Sequence, residues 1–203
     1  MSEYSPQGFR MLPTGVKNLL IINVIFFLAT LVLERYGFLQ ITNALALWPL
    51  ASGRFQIWQL VTYMFMHASF GHIFFNMFAL WMFGYILENY WGTRRFIFYY
   101  LFCGVGAGLL NMIIPGMGPT VGASGAVYGI LLAFGMLFPE ERIYLYFLVP
   151  IKAKWFVIGY AAIELCEGVF HSMDGVAHFA HLGGMLFGLV LILWWRKHPF
   201  SRF

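Results

Sequence analysis

The sequence predicts an all-α membrane protein with six transmembrane helices and a long interfacial loop between the first two. Three observations support this fold class: the composition, the spacing of the charges, and the positions of lysine and arginine. Of the 203 residues, 61% are hydrophobic and 10% are charged, whereas soluble domains have about 25% charged residues. These charges are too few to coat a soluble globule, so the expected solvent is the lipid bilayer.

Apolar stretches between charges place the helices, because a helix needs about 20 mostly apolar residues to cross a bilayer. A cluster of helix breakers, Pro115, Gly116, Gly118 and Pro119, separates the third stretch from the fourth. We expect a single domain over residues 1–203. Its helices are predicted at about 16–33, 72–87, 96–114, 121–138, 155–170 and 176–195.

Lysine and arginine predict the orientation, since cytoplasmic loops carry an excess of both. With the N-terminus inside, ten basic residues fall in inner segments and two, Arg35 and Arg54, fall in outer ones. Both termini are therefore predicted to be cytoplasmic, with helices two, four and six running inward. The long outer connection, 36–71, contains Trp48 and Trp58, and such aromatic residues are favoured at the membrane interface.

Polar side chains recur at one depth in the three inward-running helices, and polar groups in a bilayer tend to be functional. His72, Ser124 and His181 each lie 15 or 16 residues before the charged inner end of their helix. At about 1.5 Å per residue, all three are placed roughly 22 to 24 Å above the inner boundary. Each has a polar neighbour three or four residues away on the same helical face: Asn76, Tyr128 and His178.

The chemistry available in this layer is that of an activated serine. A serine hydroxyl becomes nucleophilic when a histidine takes its proton, and Ser124 and His181 could react in this way. Attack on an amide creates an oxyanion, which His72, Asn76 and the Ser124 backbone N–H could stabilise. A serine between glycines is, taken alone, more often a packing residue. The companions at matching depth favour the nucleophile.

The same residues lie in motifs that resemble those of the rhomboid intramembrane serine proteases. Residues 67–76, HASFGHIFFN, resemble the H-x4-H-x3-N motif, and residues 122–125, GASG, resemble G-x-S-G. Residues 180–188 resemble A-H-x-x-G-x-x-x-G, and residues 88–96 resemble the segment after the family's second helix. The matches occur in the family's order and spacing, and the resemblance covers residues 58–188.

The resemblance implies a rhomboid-like bundle and an intramembrane serine endopeptidase that cleaves transmembrane segments of membrane proteins near the outer face. Ser124 is the implied nucleophile and His181 the implied general base, in a dyad without an acidic third member. The sequence agrees with a missing acid, since Asp174 falls in a loop and Glu164 and Glu167 are predicted in helix five. The two glutamates are read as a proton path or as solvated or paired side chains.

The resemblance also implies supporting roles for residues around the dyad. His72 and Asn76 are the implied oxyanion side chains, and Tyr128 is the ring that packs against the catalytic imidazole. Gly122 belongs to the nucleophile motif, and His67 is an implied structural histidine of the loop.

His178 competes with His181 for the role of base, because both follow an alanine. The family pattern has glycine three and seven residues after the base. His181 has Gly184 and Gly188 at these positions, whereas His178 has His181 and Met185. The pattern selects His181, with His178 as a neighbour that hydrogen-bonds or tunes it.

Two function classes stay open in the sequence. The alternative to a protease is a non-catalytic rhomboid-like membrane protein or a polar-lined transporter. No metal or other cofactor is expected, since the sequence contains no H-E-x-x-H motif. The expected partners are membrane-protein substrates and the lipid bilayer, without nucleic acid, and the oligomeric state is not assigned.

Two further expectations concern the interfacial loop and the host membrane. The chain has Trp58 and Gln59 where the family often has Trp-Arg, which puts the anchoring of the loop in doubt. The small size favours a bacterial inner membrane.

Overall fold

The computed structural model of the chain describes residues 10–113, 118–145, 148–170 and 177–198. This part of the chain is mainly helical, with one short antiparallel hairpin and two 3-10 turns in the loop after the first helix. The helices are α1 Thr14–Arg35, α2 Leu39–Leu45, α3 Gln59–Thr62, α4 Phe70–Trp91, α5 Thr93–Met112, α6 Ser124–Leu137, α7 Ala153–Phe170 and α8 His178–Lys197. The strands are β1 Arg142–Leu145 and β2 Val149–Lys152.

Each of the six predicted helices has a counterpart, in α1, α4, α5, α6, α7 and α8. Within the described ranges, α1, α4, α5 and α8 are long and apolar enough to cross a membrane, and α6 is a shorter apolar helix of 14 residues. The chain is therefore an integral membrane protein. The predicted breakers Pro115 and Gly116 and the predicted loop position of Asp174 lie outside the described residues.

The fourth predicted helix begins later than expected, at Ser124 instead of residue 121. Gly122 has a φ of 130°, a conformation that an α-helix does not contain. Its N–H donates to the Tyr63 carbonyl at 2.9 Å, and Thr120 pairs with Leu47 in an isolated antiparallel bridge. These backbone hydrogen bonds hold the approach to α6 in an extended form, so that Ser124 is the first residue of the helix.

Helices α5, α6 and α8 pack closely together and form the centre of the bundle. Helix α1 packs mainly against α4, and α7 packs against α6 and α8. Among the described residues, α4 and α7 both pack against α6, and the contact between α4 and α7 is slight, with the rings of Phe83 and Phe156 at a centroid distance of 6.5 Å. The bundle is therefore closed around α5 and α8 and looser between α4 and α7.

Gln59 holds together the segment between α1 and α4, the predicted interfacial loop whose anchoring the sequence had put in doubt. The Gln59 side chain is buried, and its Oε1 accepts from the backbone N–H groups of Trp48 at 3.3 Å and Gln56 at 3.1 Å. Its Nε2 donates to the Ala44 carbonyl at 3.2 Å, and the Trp58 indole N–H donates to the same oxygen at 3.1 Å. One neutral amide thus joins residues 44–48 to the start of α3.

The hairpin β1–β2, between the C-terminal end of α6 and the N-terminal end of α7, was not predicted. Arg142 pairs with Lys152 in its register. Glu140, just before the hairpin, forms ion pairs with Lys152 at 2.6 Å and with Lys154. From the sequence, this basic stretch was predicted to be an inner loop. Each strand has only four residues, too few for a clear alternation of apolar and polar side chains.

Candidate active site

Ser124 and His181 lie next to each other although 57 residues separate them. Ser124 is the first residue of α6, and His181 lies in the first turn of α8. The serine Oγ lies 2.8 Å from Nε2 of the imidazole, within hydrogen-bond distance for proton transfer. The structure therefore brings together the two side chains that the sequence paired as nucleophile and base.

The close approach of α6 and α8 explains this distance. Gly184 on α8 faces Gly125 on α6 so tightly that a Cβ at Gly184 would lie 1.8 Å from the Gly125 carbonyl oxygen. Small residues allow helix backbones in membranes to approach each other in this way. The family pattern places a glycine three residues after the base. Gly184 at this position lets α8 approach α6 closely enough for His181 to contact Ser124.

Tyr128 lies one turn after Ser124 on α6 and covers the imidazole of His181. Its ring is stacked on that of His181, with centroids 4.3 Å apart and an interplanar angle of 6°. Its hydroxyl donates to Oε1 of Glu164 on α7. Tyr128 therefore contacts the base with its face and the neighbouring carboxylate with its hydroxyl.

The expectation that no carboxylate lies beside His181 is wrong. Glu164 is buried, and its Oε2 lies 2.8 Å from Nδ1 of His181. The prediction placed Glu164 correctly in the fifth long helix, but it did not foresee that α7 packs on α8 with this carboxylate facing the imidazole. A signal was available in the sequence, because a carboxylate in an apolar helix is costly and is usually paired.

His178, the rejected alternative base, lies one turn before His181 at the start of α8. Its Nδ1 lies 2.7 Å from the same Glu164 Oε2, and its ring centroid lies 6.3 Å from that of His181. Ser124 is thus hydrogen-bonded to His181, and His178 reaches the carboxylate behind it. The expected link between the two histidines passes through Glu164.

The two predicted oxyanion side chains line the same cavity as Ser124. A methyl group at Gly122 would lie 2.7 Å from the His72 Nε2 and 3.7 Å from the Ser124 Oγ, so the absent side chain leaves the space between these atoms open. The Asn76 Nδ2 donates to the His72 carbonyl at 2.9 Å, which fixes the amide at the edge of the cavity.

Helix termini add a favourable field at this position. Ser124 begins α6, and the first N–H groups of a helix have no acceptor within the helix. The positive end of the helix dipole therefore faces the serine. His72 and His181 also lie in the first turns of α4 and α8. Three helix N-termini converge on the site, an arrangement suited to an anion such as a tetrahedral oxyanion.

His67 lies in the loop before α4 and is buried, with its ring edge-on to that of His72 at a centroid distance of 5.0 Å. Burial, and then the proximity of His72, lower the pKa of His67 from 6.5 to about 4. At neutral pH His67 is therefore uncharged, as befits the structural histidine that the resemblance implies.

A cavity of about 1470 Å³ surrounds these groups. Ser124, Tyr128 and His181 line its wall on the side of α6 and α8, and His72 and Asn76 line it on the side of α4. Aromatic side chains of α4 and α7, among them Phe75 and Tyr160, border it toward the gap between these two helices. Ser124 therefore faces a space large enough for an extended peptide segment.

Glu164, His178 and His181 also have the composition of a metal site. Their ligand atoms lie within 4.8 Å of one another, and histidine nitrogens with a carboxylate oxygen are donors that zinc accepts. The separations of 2.7 and 2.8 Å between the histidine nitrogens and the carboxylate oxygen are those of direct hydrogen bonds.

Comparisons with known proteins match most of the chain. The family model described as "Rhomboid domain" matches residues 54–198. The chain is 36% identical over 155 residues to the chloroplastic rhomboid-like protein 11 of Arabidopsis thaliana, covering 71% of this chain and 55% of that protein. It is 34% identical over 136 residues to the mitochondrial rhomboid protein 1 of Saccharomyces cerevisiae, covering 62% of this chain and 38% of that protein.

A bacterial relative matches over more of the chain. The rhomboid protease GlpG of Photorhabdus laumondii is 28% identical over 190 residues, which cover 91% of this chain and 62% of that protein. The matches thus span between 38% and 62% of the length of these three relatives.

Proposed function

Because the chain belongs to the rhomboid family, we propose that it is an intramembrane serine endopeptidase that cleaves transmembrane segments of other membrane proteins near the outer face. The observation that carries this proposal is the 2.8 Å separation of Ser124 Oγ and His181 Nε2 inside a cavity between membrane helices. A non-catalytic relative or a transporter has no need of a serine held at this distance from an imidazole nitrogen.

The proposed reaction begins at Ser124. As its Oγ forms a bond to the carbonyl carbon of the substrate, the hydroxyl proton passes to His181 Nε2 and the carbonyl electron pair moves to oxygen. When the tetrahedral intermediate collapses, the C–N bond breaks and the proton on Nε2 passes to the leaving amine. Water then attacks the acyl-enzyme, with His181 accepting and returning a proton, and releases the new carboxylate.

The oxyanion of each tetrahedral intermediate is assigned to the converging helix ends. The Ser124 backbone N–H and the side chains of His72 and Asn76 are the proposed donors. Removal of one such donor typically lowers kcat by about 10²- to 10³-fold. Gly122 supports this arrangement, since a side chain there would collide with the His72 ring.

The gap between α4 and α7 supports a route for the substrate. A peptide bond inside a membrane helix is shielded, because its backbone groups are hydrogen-bonded within the helix. The substrate segment must therefore unwind locally before attack, and the cavity beside Ser124 offers the space for an unwound stretch. We assign the lateral approach to the side between α4 and α7, where the contact between the two helices is slight.

Basic residues support the orientation with both termini in the cytoplasm. The Arg10 N–H bonds to Asn89 near the end of α4, and Arg196 donates to the Met136 carbonyl near the end of α6. The Arg95 guanidinium lies 4.2 Å from the ring centroid of Trp195 on α8. These residues share the end of the bundle opposite Ser124, so the positive-inside bias supports an active site near the outer face. The bacterial inner membrane stays a prediction.

The test uses the full chain in liposomes with a model transmembrane substrate, and the cleavage products are identified by mass spectrometry. We expect cleavage by the wild type, loss of cleavage in His181→Ala, and partial activity in His178→Ala. Cleavage that survives in His181→Ala and disappears in His178→Ala would contradict the assignment of the base. An intact substrate with folded wild-type protein would favour the non-catalytic alternative.

A further inference from the structure

The carboxylate of Glu164 connects three side chains of the candidate site. Its Oε2 lies 2.8 Å from Nδ1 of His181 and 2.7 Å from Nδ1 of His178, and its Oε1 accepts from the Tyr128 hydroxyl. The residue is 6% exposed. A buried carboxylate with three donors around it is a fully partnered group, and its burial costs much less than that of an isolated charge.

An ionised Glu164 carboxylate sets the tautomer of His181 through its hydrogen bonds. An ionised carboxylate only accepts hydrogen bonds, so each imidazole must donate its Nδ1–H to it. In a neutral ring the other nitrogen then carries a lone pair. For His181 this nitrogen is Nε2, the atom 2.8 Å from Ser124 Oγ. The serine hydroxyl therefore donates to an acceptor that is already in the form a general base requires.

We propose that Glu164 is a positioning residue that completes a Ser–His–Glu triad in this chain. This inference rests on the proposed function, because it assigns a partner to the same base. Glu164 holds His181 in the reactive tautomer and stabilises the imidazolium that forms when Ser124 gives up its proton. The carboxylate stays ionised throughout, as the acidic member of such a triad does.

Two further residues hold the carboxylate in place. His178 supplies a second N–H to Oε2, and Tyr128 supplies its hydroxyl to Oε1. Tyr128 therefore orients the base twice, through its ring on the imidazole and through its hydroxyl on Glu164. The groups that face His181 thus come from three neighbouring helices as well as its own: His72 of α4, Tyr128 of α6, Glu164 of α7 and His178 of α8.

The deciding variant is Glu164→Gln, which keeps the size of the side chain and removes its charge. Its amide can donate to Nδ1 and so favours the wrong tautomer. We expect kcat for a transmembrane substrate to fall by about 10²- to 10⁴-fold with KM nearly unchanged. Because the imidazolium loses its counter-charge, the fall of residual kcat/KM on the acid side should move to lower pH. A purely structural role would leave the pH profile unchanged, and it would not lower kcat while KM stays the same.

Matched variants separate the possible causes. Glu34→Gln makes the same change at an exposed position on α1 and should keep wild-type kinetics. Tyr128→Phe retains the ring stack on His181 and removes only the hydroxyl donor to Glu164. It should lower kcat by about 10- to 100-fold, the typical loss of one hydrogen bond to a charged group. This second variant decides the question if Glu164→Gln does not fold, as judged by thermal unfolding in detergent.

The outcomes distinguish this inference from the proposed function. If Glu164→Gln folds and keeps the wild-type kcat and pH profile while Ser124→Ala is inactive, the triad is wrong and the serine protease stands. If Ser124→Ala still cleaves, the proposed function itself fails. A loss of wild-type activity in EDTA that Zn²⁺ restores would overturn the triad by assigning Glu164, His178 and His181 to a metal.

Discussion

The carbonyl oxygen of Gly125 occupies the space that a side chain at Gly184 would need, since a Cβ there would lie 1.8 Å from it. This contact sets the distance between α6 and α8, and with it the distance between Ser124 and His181. The catalytic geometry therefore depends on a backbone contact one residue from the nucleophile and three residues from the base.

The first prediction is that Gly184→Ala lowers activity strongly. The added methyl forces α6 and α8 apart, and a displacement of about 1 Å at reacting groups can cost about 10²-fold in rate. Overpacking should also reduce the free energy of unfolding by about 1 to 3 kcal/mol. Cleavage assays and thermal unfolding in detergent measure the two effects.

Gly159→Ala on α7 is the matched control, because a Cβ there would meet nothing within 4 Å. It should keep wild-type activity and leave stability unchanged or raised, since alanine favours a helix by about 1 kcal/mol over glycine. Equal activity of the Gly184→Ala and Gly159→Ala variants would contradict the role assigned to the α6–α8 contact.

The second prediction concerns Glu88, which anchors the start of α1 from the far end of α4. Its buried carboxylate accepts the backbone N–H groups of Gly15 and Val16, both at 2.7 Å, and the Thr93 hydroxyl at 2.6 Å. Glu88→Gln should lower the free energy of unfolding by at least about 2 kcal/mol, because hydrogen bonds to a buried charge are lost. Chemical or thermal unfolding in detergent measures the change.

Glu34→Gln at the opposite end of α1 is exposed and provides the comparison for Glu88→Gln. It should leave stability within the scatter of the wild type. If the two variants were equally stable, the carboxylate of Glu88 would not be holding the helix terminus.

The third prediction is a pH dependence that arises from His67. Burial and the neighbouring His72 lower the pKa of His67 from 6.5 to about 4. As the pH falls from 6.5 toward 4, the unfolded chain binds a proton here that the folded chain does not. The folded state therefore loses stability in this window, by an amount on the order of 3 kcal/mol at its lower end.

Replacing the titrating ring tests this assignment. His67→Phe should reduce the drop in melting temperature between neutral pH and pH near 4.5, compared with the wild type, whereas His198→Phe at an exposed position should not. Identical pH dependence of the wild type and His67→Phe would show that His67 does not carry the effect.

The sequence predicts the helices and the Ser124–His181 pair for a physical reason. Charges mark the ends of the apolar stretches, and counting residues back from them gives the relative depth of a side chain because the helical rise is constant. Three parallel helices with polar residues at one depth can bring those residues together. In the structure, His72, Ser124 and His181 line one cavity at the N-terminal ends of α4, α6 and α8.

Depth does not give the rotation of a helix about its axis, and this is why the role of Glu164 was missed. Its position in the fifth long helix could be predicted, but the direction of its side chain depends on how α7 packs against α6 and α8. The later start of α6 was missed for a related reason, since the hydrogen bond from Gly122 to Tyr63 joins residues far apart in sequence. Gln59 shows the same limit, because its partners in the loop are set by tertiary contacts.

The central claim is that Ser124 is a nucleophile activated by His181, and covalent labelling tests it most directly. The folded wild type in detergent is treated with a fluorophosphonate, and the modified peptide is identified by mass spectrometry beside a cleavage assay with a transmembrane substrate. We predict one adduct on Ser124 in the wild type, and neither adduct nor cleavage in Ser124→Ala. Labelling or cleavage that persists at wild-type level in Ser124→Ala would contradict the claim.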